Sequence, residues 1–208
     1  MGNVKELDPR DLQLIEKNIM KWYKKIDNSK SFTWYQDIHN KGLQWANHYD
    51  VEAFQVYGII SAFSPMMSWK LNQENAIKFL EGKPVNYLGR QVEKAHLIYG
   101  LTDEMRSMVE KGHAKSFVET WMNRKISVIL SGRKTVSFFD NMCYPEHSNK
   151  LTIDVHMWNN FKPISWTTMT EKRYTGMENV FREVSSQKEI SVPSLQSSLW
   201  VTVRGAYD

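Results

Sequence analysis

Apolar side chains recur at helical spacing through most of the chain, and this feature leaves few possible fold classes. The pair Asp8-Pro9 is typical of a helix start, and apolar residues follow it every three or four positions up to Ile26. We expect this first helix to end at Asp27-Asn28-Ser29. The same periodicity predicts further helices over residues 51–63, 69–80, 89–98, 103–111, 114–126, 133–142, 154–161 and 174–184, and a last helix that Pro193 opens.

Strand patterns are almost missing from the sequence. Leu151-Thr152-Ile153 is β-leaning but shorter than an ordinary strand. The sequence has no internal repeat and no linker long enough to separate domains. It therefore predicts an all-α fold of about ten short helices, with residues 1–208 forming one compact domain.

Composition excludes several classes of protein. The only cysteine, Cys143, cannot form an internal disulfide or a cysteine-ligated iron–sulfur cluster, and it favours a reducing compartment such as the cytoplasm. No apolar run approaches the ~18 residues of a membrane span. The six histidines lack metal-ligand spacing, so we expect no metal and no cofactor. A net charge of +4 permits a DNA partner without requiring one, and no feature indicates an oligomeric state.

The run Gly132-Arg133-Lys134-Thr135 has the chemistry of an anion site. Glycine permits a tight turn, and a helix that begins after the turn presents free N–H groups to an anion. Arg133 and Lys134 add positive charge at the same place. A DNA phosphate fits such a site.

Asp154 follows three residues of extended type and precedes a helical pattern. An aspartate at this position can cap the helix. If it faces a pocket, it can also stabilise a cation or activate a nucleophile. His156 does not complete a metal pair with it, because residues i and i+2 do not share a helix face.

Taken together, residues 132–135 and Thr152-Ile153-Asp154-Val155-His156 resemble the endonuclease III branch of the helix-hairpin-helix DNA glycosylase superfamily. The resemblance spans roughly residues 50–160. It implies a multi-helix glycosylase fold, with Lys134 at the position of the Schiff-base nucleophile of the bifunctional members. It also places Asp154 at the position of the acid that nearly all members require.

Residues 57–64 resemble the family helix whose end sends a residue into the DNA duplex when a base is flipped. The resemblance implies contacts with DNA from Ser131, Gly132, Arg133, Thr135, Ser61, Phe63 and Ser64. It implies a base pocket that includes Tyr57, Trp69 and His156. The function it implies is the cleavage of an N-glycosidic bond in DNA, with or without lyase activity.

This chain departs from the family pattern in three places. Phe63, closely followed by Pro65, stands near the position where the family pattern leads one to expect a polar wedge residue. Residues 128–132 replace the family's Leu-Pro-Gly-x-Gly run, and the four-cysteine cluster loop is missing. A divergent member is therefore expected, and other functions stay open. One is a bacteriophage-type transferase that adds an amine or amino acid to an activated thymine on the same fold. Others are a non-catalytic DNA-binding or inhibitory protein, or an all-α domain with a chance match.

Overall fold

A computed structural model describes residues 7–27 and 29–205, and within them the secondary structure consists of eleven α-helices and one 3-10 helix, without a β-strand. The all-α prediction is confirmed. The helices are Pro9–Tyr23 (α1), Trp34–Tyr49 (α2), Ala53–Phe63 (α3), Trp69–Leu80 (α4), Gly89–Tyr99 (α5), Leu101–Glu110 (α6), Lys115–Leu130 (α7), Arg133–Cys143 (α8), Val155–Phe161 (α9), Glu171–Gln187 (α10) and Val192–Arg204 (α11), and Ser29–Thr33 is the 3-10 helix.

Helix caps fix the predicted boundaries. The Asp8 side chain accepts the N–H of Arg10, and Ser68 accepts the N–H of Leu71 at the start of α4. Several ends differ from the expectation: α1 ends at Tyr23, before the predicted Asp27-Asn28-Ser29, α7 continues to Leu130, and α10 extends beyond the predicted 174–184 at both ends. The other ends lie within two residues of the prediction. Asn28 itself lies outside the described residues.

The sequence did not predict α2. The buried residues of α2 are Trp34, Tyr35, Ile38, Gly42 and Ala46. The last two are small, so the apolar period weakens in the second half of the helix. Gly42 is required for packing, since a Cβ at this position would collide with the ring of Tyr57. Gly42 thus lets α2 approach α3 closely, and Gly42 and Ala46 together weaken the apolar periodicity by which a helix is predicted.

The chain divides into two compact units. The first unit joins the segment up to Gln36 with the segment that starts at Tyr144. It contains α1, α9, α10 and α11. Its core consists of Ile15, Ile19, Leu151, Ile153, Met157, Trp158, Phe161, Trp166, Tyr174, Met177, Val180, Phe181, Val184, Val192, Leu195 and Leu199. The expectation of one domain over residues 1–208 stays a prediction.

The second unit covers Asp37–Cys143 and is built around α3. Every residue of α3 from Gln55 to Phe63 is buried, and the helix packs against α4, α5, α7 and α8. Gly58 permits this enclosure, because a Cβ there would lie 2.8 Å from Ile126 Cγ2. No helix of the described residues is long and apolar enough to cross a membrane.

Candidate functional site

The turn between α7 and α8 has the conformation that its glycine permits. Ser131 has φ 47° and Gly132 has φ 79°, and α8 begins at Arg133 as predicted. The Thr135 hydroxyl donates to the carbonyls of Ser131 (2.7 Å) and Gly132 (2.9 Å). Ser131 is a non-glycine residue at positive φ, which costs conformational free energy of about 1–3 kcal/mol. Strain of this kind persists only where neighbouring contacts hold the backbone.

Lys94 supplies one of those contacts from α5. Its Nζ donates to the carbonyl of Leu130 and to Ser131 Oγ, the latter at 3.0 Å. Burial, and secondly the neighbouring Arg90 guanidinium, lowers the pKa of Lys94 below its ordinary value. Sequence analysis missed Lys94, because a lysine in the middle of an amphipathic helix carries no local sign of such a contact.

Lys134 lies in the first turn of α8 and reaches the end of α3. Its Nζ is 3.2 Å from Ser64 Oγ and 3.4 Å from the Ser64 carbonyl oxygen. The ammonium also lies 5.8 Å from the centroid of the Phe138 ring. The half-buried Trp69 ring packs edge-on with the Phe138 ring, and the two ring centroids are 6.4 Å apart. The structure therefore brings Lys134 and Phe138 of α8 together with Ser64 and Trp69, although Lys134 and Ser64 are 70 residues apart in the sequence.

The other residues expected at the end of α3 are buried. Ser61 is fully buried, and its Oγ has no hydrogen-bond partner. Phe63 is fully buried as well, with its ring centroid 6.0 Å from that of Phe79 and 6.2 Å from that of Tyr87. A side chain that enters a DNA duplex has to project from the surface, and Phe63 is part of the core of the second unit.

The surface residue after α3 is Met66. Its side chain is 97% exposed, and its backbone has φ 55°, a conformation that β-carbon sterics disfavour. Met66 lies three positions after Phe63, and the sequence did not indicate it as a candidate. No local pattern distinguishes it from a core methionine, since exposure depends on how the loop leaves α3.

Tyr57 is also a core residue. Its hydroxyl donates to the backbone carbonyl of His39 at 2.9 Å, and its ring stacks on the His39 ring. Burial, and secondly the nearby Cys143 thiol, raises the pKa of Tyr57 well above its ordinary value. Of the three residues expected in a base pocket, Trp69 is half-buried and His156 is exposed on α9.

Asp154 caps α9 with one carboxylate oxygen and binds an indole with the other. Oδ1 accepts the N–H of Met157 at 2.8 Å, and Oδ2 accepts Trp200 Nε1–H at 2.8 Å. The predicted cap is confirmed, and Trp200 is a contact that the sequence did not indicate. A carboxylate has about four lone-pair sites, so two donors leave acceptor capacity for a third group.

The extended residues before Asp154 are held by α10. The N–H of Leu151 donates to Glu178 Oε1 at 3.1 Å, and the N–H of Ile153 donates to the Tyr174 hydroxyl at 3.2 Å. That hydroxyl in turn donates to the carbonyl of Leu151. Arg182 pairs with Glu178 at 2.9 Å. Helix α10 therefore satisfies these backbone groups in place of a neighbouring strand, which fixes where Asp154 lies in the first unit.

The two predicted catalytic residues belong to different units: Lys134 to the second and Asp154 to the first. No group of three or more His, Cys, Asp or Glu side chains among residues 7–27 and 29–205 could hold a metal ion.

The sequence model of a family of unknown function, DUF7178, matches residues 1–207. The chain belongs to this family. The match covers both units, so the α7–α8 turn and the Asp154 cap lie within the region that defines DUF7178. No curated protein and no solved structure matches the chain.

Proposed function

We propose that this DUF7178 protein is a DNA glycosylase-like enzyme that extracts a modified or damaged base and cleaves its N-glycosidic bond. The observation that carries the proposal is the α7–α8 turn. The run that resembles the glycosylase motif forms a left-handed turn followed by a helix start, with Lys134 in the first turn of α8.

The turn supports a contact with a DNA phosphate. Backbone N–H groups at the start of α8 point along the helix axis out of the helix, and its dipole favours an anion there. Arg133 lies at the same helix end, and Lys94 stands beside Ser131. Affinity that comes from such contacts weakens steeply with salt, because phosphate binding releases counterions from DNA.

Met66 is the candidate for the side chain that enters the duplex. Proteins that unstack DNA insert apolar side chains such as methionine between base steps. Met66 is exposed and leaves the short loop after α3, whereas Phe63 is buried. The role that the sequence assigned to Phe63 is therefore proposed for Met66.

The chemistry is assigned to Asp154 and Lys134. When the bond from C1′ to the base breaks, the electron pair leaves with the base and positive charge develops on the sugar, which the Asp154 carboxylate stabilises. Water then adds to C1′ and gives an abasic site. Alternatively, the Lys134 amine attacks C1′, and ring opening gives a Schiff base. The amine must first lose its proton and leave Ser64.

The test uses duplex and single-stranded oligonucleotides with a panel of modified bases and abasic sites, followed by borohydride. A covalent protein–DNA band that is lost in Lys134→Ala, but kept in the surface control Lys115→Ala, supports the Schiff-base route. Abasic sites without a band, lost in Asp154→Asn, support a monofunctional glycosylase. If no substrate gives a covalent band or an abasic product, the proposal of glycosidic cleavage is overturned.

A second candidate is a transferase that adds an amine or amino acid to an activated thymine in DNA. The observation that favours it is the course of α7, which stays helical to Leu130 where the glycosylase family has Leu-Pro-Gly. A changed hairpin is compatible with a base pocket that performs no bond cleavage at the sugar. Mass analysis of recovered nucleosides distinguishes the two, because only the transferase leaves an added group on the base.

A further inference from the structure

Two aspartates of the first unit accept a hydrogen bond from an indole. Trp200 Nε1 donates to Asp154 Oδ2 at 2.8 Å, and Trp166 Nε1 donates to Asp11 Oδ2 at 2.7 Å. Both distances are those of a charge-assisted hydrogen bond. The two pairs differ in what their carboxylates do: Asp154 is the acid of the proposed reaction, whereas Asp11 has no role in it.

Asp154 is fixed by one donor on each oxygen. The Met157 N–H holds Oδ1 as the cap of α9, and Trp200 holds Oδ2. With the cap alone, the carboxylate could still turn about the bond to its β-carbon. The second donor stops this rotation and fixes which lone pairs face away from both donors.

Trp200 is itself held in place. The Arg204 guanidinium, one turn later on α11, lies 4.8 Å from its ring centroid. The ring of the buried Trp34 lies 5.7 Å away at an angle of 46°. These two contacts fix the orientation of the indole N–H, because a rotation of the ring would break both of them.

We propose that Trp200 is the positioning residue of Asp154: its N–H holds the carboxylate in the orientation in which it stabilises the sugar cation. The effect of this hydrogen bond on catalysis rests on the proposed function. Trp200 is not assigned any contact with substrate. It acts through Asp154 alone, so its loss should change the rate of the chemical step and leave DNA affinity unchanged.

The test replaces one atom group in the full-length protein. 3-Benzothienylalanine keeps the shape of tryptophan and has sulfur in place of the N–H, and it is introduced at position 200 by nonsense suppression. Trp200→Phe is the second variant. The matched control carries 3-benzothienylalanine at position 166, which removes the corresponding bond to Asp11 and keeps the shape of this fully buried side chain.

Two measurements are made on each protein. The first is the amide resonance of Met157, which reports on the Asp154 cap directly. The second is the single-turnover rate of base release, together with the dissociation constant for the same DNA. We expect the position-200 variants to shift or broaden the Met157 resonance and to slow base release about 10- to 100-fold at unchanged affinity. The position-166 variant should leave the Met157 resonance in place, and the rate and the dissociation constant should stay within about twofold of the wild-type values.

An unchanged Met157 resonance in both position-200 variants overturns the proposal, whatever the rate. Equal slowing by the variants at positions 166 and 200 also overturns it, since the effect would then be one of general stability. If the wild-type protein releases no base from any substrate, the proposed glycosidic cleavage fails. The Met157 resonance still decides in that case whether Trp200 orients the carboxylate.

Discussion

Lys134 and Asp154 differ in the contacts that hold their side chains. Lys134 follows a turn with two consecutive positive φ values, and its amine lies 3.2 Å from Ser64 Oγ and 3.4 Å from the Ser64 carbonyl oxygen. Asp154 follows a buried extended segment that α10 secures, and a short hydrogen bond reaches each carboxylate oxygen. These hydrogen bonds of Asp154 are thus shorter than those from Lys134 to Ser64, and they hold the carboxylate in one orientation, which the proposed stabilisation of a developing charge requires.

The largest expected effect comes from Asp154→Asn. Asparagine caps helices about as well as aspartate, but it has one acceptor oxygen, so either the Met157 N–H or the Trp200 N–H loses its acceptor and we expect a loss of about 1–3 kcal/mol in the free energy of unfolding. Single-turnover base release should fall about 10²- to 10³-fold, because the neutral amide no longer stabilises the sugar cation. Urea denaturation and a base-release assay give the two values. An unchanged rate would remove Asp154 from the mechanism and favour a non-catalytic DNA-binding protein.

Tyr174→Phe should destabilise the first unit. The substitution removes a buried hydroxyl that serves both the Ile153 N–H and the Leu151 carbonyl. Leaving these groups without a partner costs about 1–3 kcal/mol, measured by urea denaturation. Tyr99→Phe, at a tyrosine that is 43% exposed, is the control and should be nearly neutral. Equal stability of the two variants would mean that α10 does not secure the segment before Asp154.

Gly132→Ala tests the turn before Lys134 by backbone conformation alone. A Cβ at Gly132 meets only Thr135 Oγ1, at an ordinary 3.7 Å, so the penalty arises from φ 79° and not from a collision. We expect a loss of about 1–2 kcal/mol in stability and weaker DNA binding. Gly89→Ala, at a helical glycine with open space around it, is the control. An unchanged DNA affinity would show that the conformation of this turn is not required for phosphate binding.

Lys94→Met has the smallest expected effect. If Lys94 contributes to a phosphate contact, its removal lowers the slope of log affinity against log salt by about one. Lys115→Met removes a charge whose side chain is 90% exposed at the far end of α7, and it should leave the slope unchanged. Filter binding or fluorescence anisotropy at several salt concentrations measures both variants. Equal slopes would assign Lys94 a purely structural contact with Ser131.

Much of the local structure could be predicted because its causes are local. Asp8 with Pro9, Ser68, and Asp154 each mark a helix start through bonds to groups two or three residues away. Helix α2 was missed for an equally local reason, since Gly42 and Ala46 carry too little apolar surface to show a period.

The candidate sites divide in the same way. The turn at Gly132 and the cap at Asp154 follow from the sequence alone, because a glycine at positive φ and a capping aspartate act on their own neighbours. Trp200 and Lys94 could not be found, since their partners are 46 and 37 residues away.

The sequence by itself determined the all-α class, most helix boundaries and the two motifs that suggest DNA chemistry. Only the tertiary structure decided that Phe63 is a core residue and Met66 an exposed one, and that an indole fixes the Asp154 carboxylate. The physical reason is the distance along the chain between the residues that interact. Caps and turns depend on bonds within about four residues, whereas exposure and long-range hydrogen bonds depend on how whole helices pack.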